Sequence, residues 1–221
     1  MIGPVRSVPA ARVVFAATAL CVLVGLVVQI HVSAGLTGTR FTSTGSRIAN
    51  VFCYFTVLSN IIAGVTTGLL AWRPSWDSTA FRAWRLSGLV SITITGVIFH
   101  LTLADLQDLT GLAAVADNLL HTWSPVLSVL GWLAFGPRGL TSWRAAGLAL
   151  LYPLAWVALA LIRGAIIDFY AYPFVNVTDL GYPRVIVNVV LVGVLFFALA
   201  AAALALDRRL VPTAGGRAGV G

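Results

Sequence analysis

Six stretches of this chain are apolar over a length that crosses a bilayer, and that feature leaves it very few folds. They cover residues 13–32, 51–72, 86–103, 118–135, 145–162 and 185–206. A hydrocarbon core about 30 Å thick is spanned by about 20 helical residues. Backbone in lipid must satisfy its own hydrogen bonds, and the apolar/polar alternation of barrel strands is absent here, so the runs are expected to be helices. Hydrophobic residues make up 59% of the chain and charged ones 10%, far from the balance of a soluble domain. The expected fold is all-α: a polytopic membrane protein with six transmembrane helices in one bundle over residues 1–211. The Gly-rich segment 212–221 is expected to be a disordered tail.

The first run follows Arg6 and Arg12 and is read as an uncleaved helix. A signal peptide cut near Val32-Ser33-Ala34 is the competing reading, but the run exceeds the usual apolar region of about 7–15 residues. All 14 basic residues are arginines scattered between the apolar runs, with no basic patch interleaved with aromatics, so no nucleic-acid partner is expected. Arginine favours cytoplasmic loops. Arg6, Arg12, Arg73, Arg82, Arg85, Arg138, Arg144, Arg208, Arg209 and Arg217 fall on one side, which puts both termini in the cytoplasm of a cell-membrane protein. The opposite side carries Arg40, Arg47, Arg163 and Arg184 with Asp105, Asp108, Asp117, Asp168 and Asp179. Cys21 and Cys53 lack the spacing of a metal site, and no metal or cofactor is expected.

Polar and ionisable groups inside a span are costly, which makes each a functional candidate. On the fourth run Asp117, His121, Ser124, Pro125 and Ser128 fall at helical spacing on one face. Pro125 has no N–H for the His121 carbonyl and is expected to kink the helix there. Asp117 lies one turn before His121, within reach of a ring nitrogen whose tautomer it would fix. The competing role for His121 is a bridge between helices. On the second run Thr56, Ser59 and Asn60 share a face, although such hydroxyls commonly bond back to the preceding turn. Thr56 and His121 each lie roughly 6–8 Å inside their runs at about 1.5 Å per residue, so one layer is expected to hold both. His100 and Asp105 fall near the same end of the third run, and Arg163 near that end of the fifth. Arg163 either snorkels to the interface or clamps a carboxylate or oxyanion. His31 is read as interfacial, and Asn188 as a hydrogen bond between helices.

Several of these segments together resemble the androgen-induced and androgen-dependent six-helix membrane proteins, whose characterised members are threonine hydrolases of fatty acid esters of hydroxy fatty acids. The resemblance rests on Tyr54-Phe55-Thr56, on the segment from Asp117 through His121-Thr122 to Pro125, and on Tyr172-Pro173-Phe174 after the fifth run. It implies Thr56 as nucleophile and His121 as base. The sequence departs in lacking a second histidine just before His121, and in Ser59-Asn60 ending the second-run motif. Composition free of Lys and rich in Ala and Arg points to a prokaryotic branch.

The expected function is hydrolysis of a lipid or fatty acyl ester within the membrane, through an acyl-threonine intermediate. Asp117, Asn60 and Arg163 are candidates for orienting the base or holding an oxyanion or carboxylate, with His100 and Ser124 as further polar site residues. Two alternatives stand beside it. One is a lipid-binding or transport protein without catalysis; the other is a single-haem redox protein with His100 and His121 as axial ligands.

Overall fold

The computed structural model describes residues 8–104 and 108–210. Arg6, Asp105 and Arg217 lie outside the described residues, as does the segment expected to be a disordered tail. The described chain is all-helical, as expected. Helix α1 covers Val8–Gly35, α2 Thr44–Val51, α3 Phe55–Trp72 and α4 Thr79–Ile98, the last running into a π-helical turn, Phe99–Leu103. Helix α5, Gly111–Asn118, is joined by a second π-helical turn, Leu119–Trp123, to α6, Ser124–Phe135. Then follow α7, Trp143–Ala149, α8, Leu151–Ile167, and α9, Val177–Leu210, which bends at Gly181 (φ 72°), just before Pro183.

Helix starts are written locally. Ser43, Ser78 and Ser142 adopt extended backbone and accept hydrogen bonds from Ser46, Phe81 and Ala145 N–H, occupying donors that a first turn leaves free. Val32-Ser33-Ala34 lies within α1, where the Gln29 side chain donates to Ser33 Oγ at 3.0 Å.

Among the described residues five helical stretches are long and apolar enough to cross a membrane: Val8–Gly35, Phe55–Trp72, Thr79–Leu103, Trp143–Ile167 and Val177–Leu210. The fourth expected run is helical too but is not among these five, its hydrocarbon being interrupted by the polar stripe. Helices α3 and α4 form the centre, flanked by α1, α6, α7 and α9. The outer helices display bare hydrocarbon: Leu20, Leu23 and Val27 on α1, Ile162 and Ile166 on α8, Val190 and Val194 on α9 are all exposed. A continuous apolar surface of this kind is unstable in water and is what acyl chains cover.

Two arginines read as loop signals are buried instead. Arg85 donates to the Pro137 carbonyl at 3.1 Å, and Arg138 donates to the Leu133 carbonyl. Nearby, the buried Asp207 carboxylate accepts from Gly139 N–H at 3.1 Å and Thr141 N–H at 2.9 Å, tying the segment after α6 to α9.

Candidate functional site

Helix α3 begins at Phe55 without a side-chain cap from Tyr54, so the N–H groups of its first turn need partners from elsewhere. A partner comes from 116 residues away: Thr56 N–H donates to the Tyr172 hydroxyl at 3.1 Å, and the same hydroxyl lies 3.1 Å from Thr56 Oγ1. Tyr152 supports the next carbonyl, donating to Phe55 O at 2.9 Å while sharing a 3.0 Å hydrogen bond with Ser59. Trp156 Nε1 donates to Cys53 O at 3.0 Å. The segment from α8 into the following loop therefore holds the start of α3 in place.

Tyr172 reaches Thr56 because that loop is fixed at several points. Asp168 ends α8 in the left-handed region (φ 49°), and Arg40 donates to its carbonyl at 2.6 Å. Tyr170 packs so tightly on Gly164 that a Cβ there would lie 2.0 Å from its ring. Asn188 donates to Phe174 O at 2.8 Å, so the hydrogen bond expected between helices is made to this loop. The Tyr172 ring contacts Tyr54 and Trp156 edge-on and stacks on Phe174. Burial pushes its hydroxyl up to about 12, so it stays protonated at neutral pH as a donor and not a base.

Thr56 and Tyr172 open onto a cavity of about 100 Å³ between α3, α4, α8 and α9, walled by Ile98, Trp156, Phe174, Phe196 and other apolar side chains. Among the described residues no charged one lines it. Thr95 is its further hydroxyl, and Thr95 Oγ1 is buried with no hydrogen-bond partner.

His121 sits in the second π turn. Its Nδ1 is 2.9 Å from Asp117 Oδ1 and 3.2 Å from Asp117 O. Two acceptors at Nδ1 assign the hydrogen to that nitrogen, leaving the Nε2 lone pair free as a base requires. The ring stacks on Phe99 at 3.9 Å between centroids. Phe99 also meets His100 edge-on, and His100 Nε2 is 3.1 Å from Thr122 Oγ1, which ties the two π turns together. His100 thus turns Nε2 to Thr122, whereas the bis-histidine haem reading needs that nitrogen directed at an iron. Gly96 brings α4 close: a Cβ there would stand 3.1 Å from Pro125 and 3.4 Å from the His121 carbonyl.

The effect of Pro125 differs from the expected kink. In an α-helix it would orphan the His121 carbonyl, but in the π turn Ser124 N–H bonds to Leu119 O, five residues back. The register has moved by one, so the carbonyl whose donor would be Pro125 is that of Leu120. Asn60 Nδ2 fills the gap, donating to Leu120 O at 3.1 Å and to Thr56 O at 2.9 Å. Both amide hydrogens of Asn60 are thereby committed, leaving none for an oxyanion.

The expected residues are only partly brought together. Asp117 meets His121, and Asn60 bridges the Thr56 turn to the His121 turn, but the Thr56 hydroxyl bonds to Tyr172 and makes no hydrogen bond to His121. Arg163 is away from the cavity lining; it donates to Asn50 Oδ1 at 2.8 Å and lies over the rings of Phe41 and Phe169. Ser124 is fully buried with no partner for its hydroxyl. Tyr172, Tyr152 and Thr95 belong to the site without being expected from the sequence. Only Tyr172 carried a signal, in Tyr172-Pro173-Phe174. Among the described residues no group of three His, Cys, Asp or Glu side chains is placed to hold a metal ion. Compared with family models, curated proteins and solved structures, the chain matches none of them.

Proposed function

We propose that this chain is a multi-pass cell-membrane hydrolase of lipid or fatty acyl esters with Thr56 as nucleophile, the reaction implied by its resemblance to the androgen-induced family. In this reading the helical segment 111–135 is a sixth span and both termini are cytoplasmic. The observation that carries it is the Thr56 hydroxyl, fixed by Tyr172 at the wall of an uncharged, apolar cavity. Such a cavity accepts an acyl chain and offers polar atoms only where an ester group would lie.

The chemistry balances with groups of this chain. Thr56 Oγ1 attacks the ester carbonyl carbon, His121 Nε2 takes the hydroxyl proton, and the alcohol leaves with that proton. Water, deprotonated by His121, then cleaves the acyl-threonine to free acid and Thr56. Asp117 holds the imidazole and balances its charge in the imidazolium form. Thr95 and Tyr172 supply hydroxyl donors toward the carbonyl oxygen. The sequence requires Thr56 to come within reach of His121 Nε2, directly or through one water, when substrate is bound; catalytic hydrogen bonds commonly tighten at that point.

The second reading, a lipid-binding or transport protein, is favoured by one observation: Thr56 turns to Tyr172 and not to His121. Labelling of the purified full chain with a fluorophosphonate or lipid-ester probe separates the two. Hydrolysis predicts labelling of the wild type and at least a hundredfold loss in both Thr56→Ala and His121→Ala, each still folded. Wild type that resists several probes while still binding a fluorescent fatty acyl ester would establish the binding reading.

A further inference from the structure

A second cavity, of about 30 Å³, lies between α1, α3, α4 and α6 and shares no lining residue with the Thr56 groove. Phe15, Leu70 and Trp132 supply apolar wall, and Thr66, Arg85 and Ser128 supply polar atoms. Arg85 is 8% exposed and Ser128 7%. Both have an atom without a hydrogen-bond partner, Arg85 Nη2 and Ser128 Oγ. The other terminal nitrogen of Arg85 is committed to the Pro137 carbonyl. Thr66 and its neighbour Thr67 spend their hydroxyl hydrogens on the carbonyls of Ile62 and Ala63, at 2.8 and 2.7 Å.

The groups left to donate toward the cavity are therefore Arg85 Nη2 and Ser128 Oγ, one of them cationic, while Thr66 and Thr67 offer it hydroxyl lone pairs. A buried guanidinium is tolerated when an anion and complete hydrogen bonding accompany it. No described carboxylate stands within ion-pair distance of Arg85. The nearby Asp207 directs its carboxylate to the backbone N–H groups of Gly139 and Thr141. A single water could donate to the Thr66 or Thr67 hydroxyl oxygen, but it would add no negative charge beside a guanidinium that Asp207 offsets only at longer range. The volume suits one or two water-sized particles.

We infer that this cavity is a binding site for one small monovalent inorganic anion of the size of chloride, held between Arg85 Nη2 and Ser128 Oγ. The ion completes the hydrogen bonding of Arg85 and neutralises a charge enclosed by α1, α3, α4 and α6. The site stands independently of any activity in the Thr56 groove, since no residue lines both.

A ligand that binds only the folded chain raises its melting temperature saturably. The full-length protein in lipid nanodiscs is melted across a chloride series, with gluconate keeping ionic strength constant. Gluconate, a six-carbon polyol, is far larger than chloride. The wild type is expected to gain stability with chloride and with bromide, and to saturate. Ser128→Ala removes a donor that has no other partner, so the variant is expected to fold and to need at least tenfold more chloride for half-saturation. Arg85→Gln, if it folds, is expected to lose the dependence altogether. A wild-type melting temperature unchanged between chloride and gluconate would overturn the inference and leave the cavity to water. The same dependence undiminished in Ser128→Ala would also overturn it, by showing a general salt effect.

Discussion

The Tyr172 hydroxyl has two contacts with one residue, an N–H to accept from and a side-chain oxygen to share a proton with. Tyr172→Phe keeps the ring and its stacking on Phe174 but removes both contacts. A buried N–H left without a partner costs about 1–3 kcal/mol, so the variant is expected to melt measurably lower. Under the hydrolase reading it is also expected to label about tenfold more slowly. The same hydroxyl gives a pH signature. Its pKa rises from about 10 to about 12 on folding, so the folded state holds the proton more firmly than the unfolded one. Stability linked to Tyr172 is complete below pH 10 and is lost as pH rises toward 12. Chemical denaturation between pH 9 and 12 is expected to show a steeper alkaline fall for the wild type than for Tyr172→Phe. Equal slopes would mean that the hydroxyl is hydrated in the folded chain. None of this is readable from one sequence segment, since Thr56 and Tyr172 lie 116 residues apart and meet only through a fixed loop. Asp117 and His121 are the opposite case: four residues apart on a helix, they have their contact written into their spacing.

At the scale of elements, the two π-helical turns carry His100 and His121 and are bound to each other through Thr122 and Phe99. Pro125 made an irregularity legible, but not its form; whether a missing N–H kinks a helix or shifts its register depends on what takes the orphaned carbonyl. Here Asn60 of α3 does so, and the shift becomes stable. Pro125→Ala restores the donor, and an unbroken α register then becomes the better-bonded choice. Losing the extra residue of the π turn rotates α5 and His121 by about 100° relative to α6, the angle per residue of a helix of 3.6 residues per turn. His121 would leave Phe99, and Leu120 O would leave Asn60. Helical content by circular dichroism is expected to hold or rise. Probe labelling is expected to fall at least tenfold even though Thr56, Asp117 and His121 are all present. Labelling at the wild-type rate would show that the π turn does not position the base.

For the whole molecule, the apolar runs fix the helical class because length and composition alone decide it, and five of them appear as helices able to cross a membrane. The segment 111–135 is the ambiguous one for the same reason that it is interesting: Asp117, Asn118, His121 and Ser124 interrupt its hydrocarbon. Packing bears on what composition leaves open. Leu120 and Ser124 are buried, His121 and Asp117 are partly shielded, and the segment lies against α1, α3 and α4 at the centre of the bundle. A polar stripe that faces protein is compatible with a span, since the cost falls only on groups that face lipid. The arginine bias is less direct evidence, because Arg85 and Arg138 are placed by buried contacts with the chain after α6 as much as by the membrane. Span count nevertheless has a simple consequence. Six crossings return the chain to the side from which it started, whereas five leave the termini on opposite sides. Reporters active only in the cytoplasm or only outside, fused in turn to each terminus, are expected to report the cytoplasm for both. Fusions truncated after Gly38, in the loop after α1, and after Gly139, beyond α6, are expected to report outside and inside respectively. Termini on opposite sides, with the Gly139 fusion reporting outside like the Gly38 one, would mean that 111–135 re-enters without crossing, and would leave His121 at the end of a half-buried hairpin.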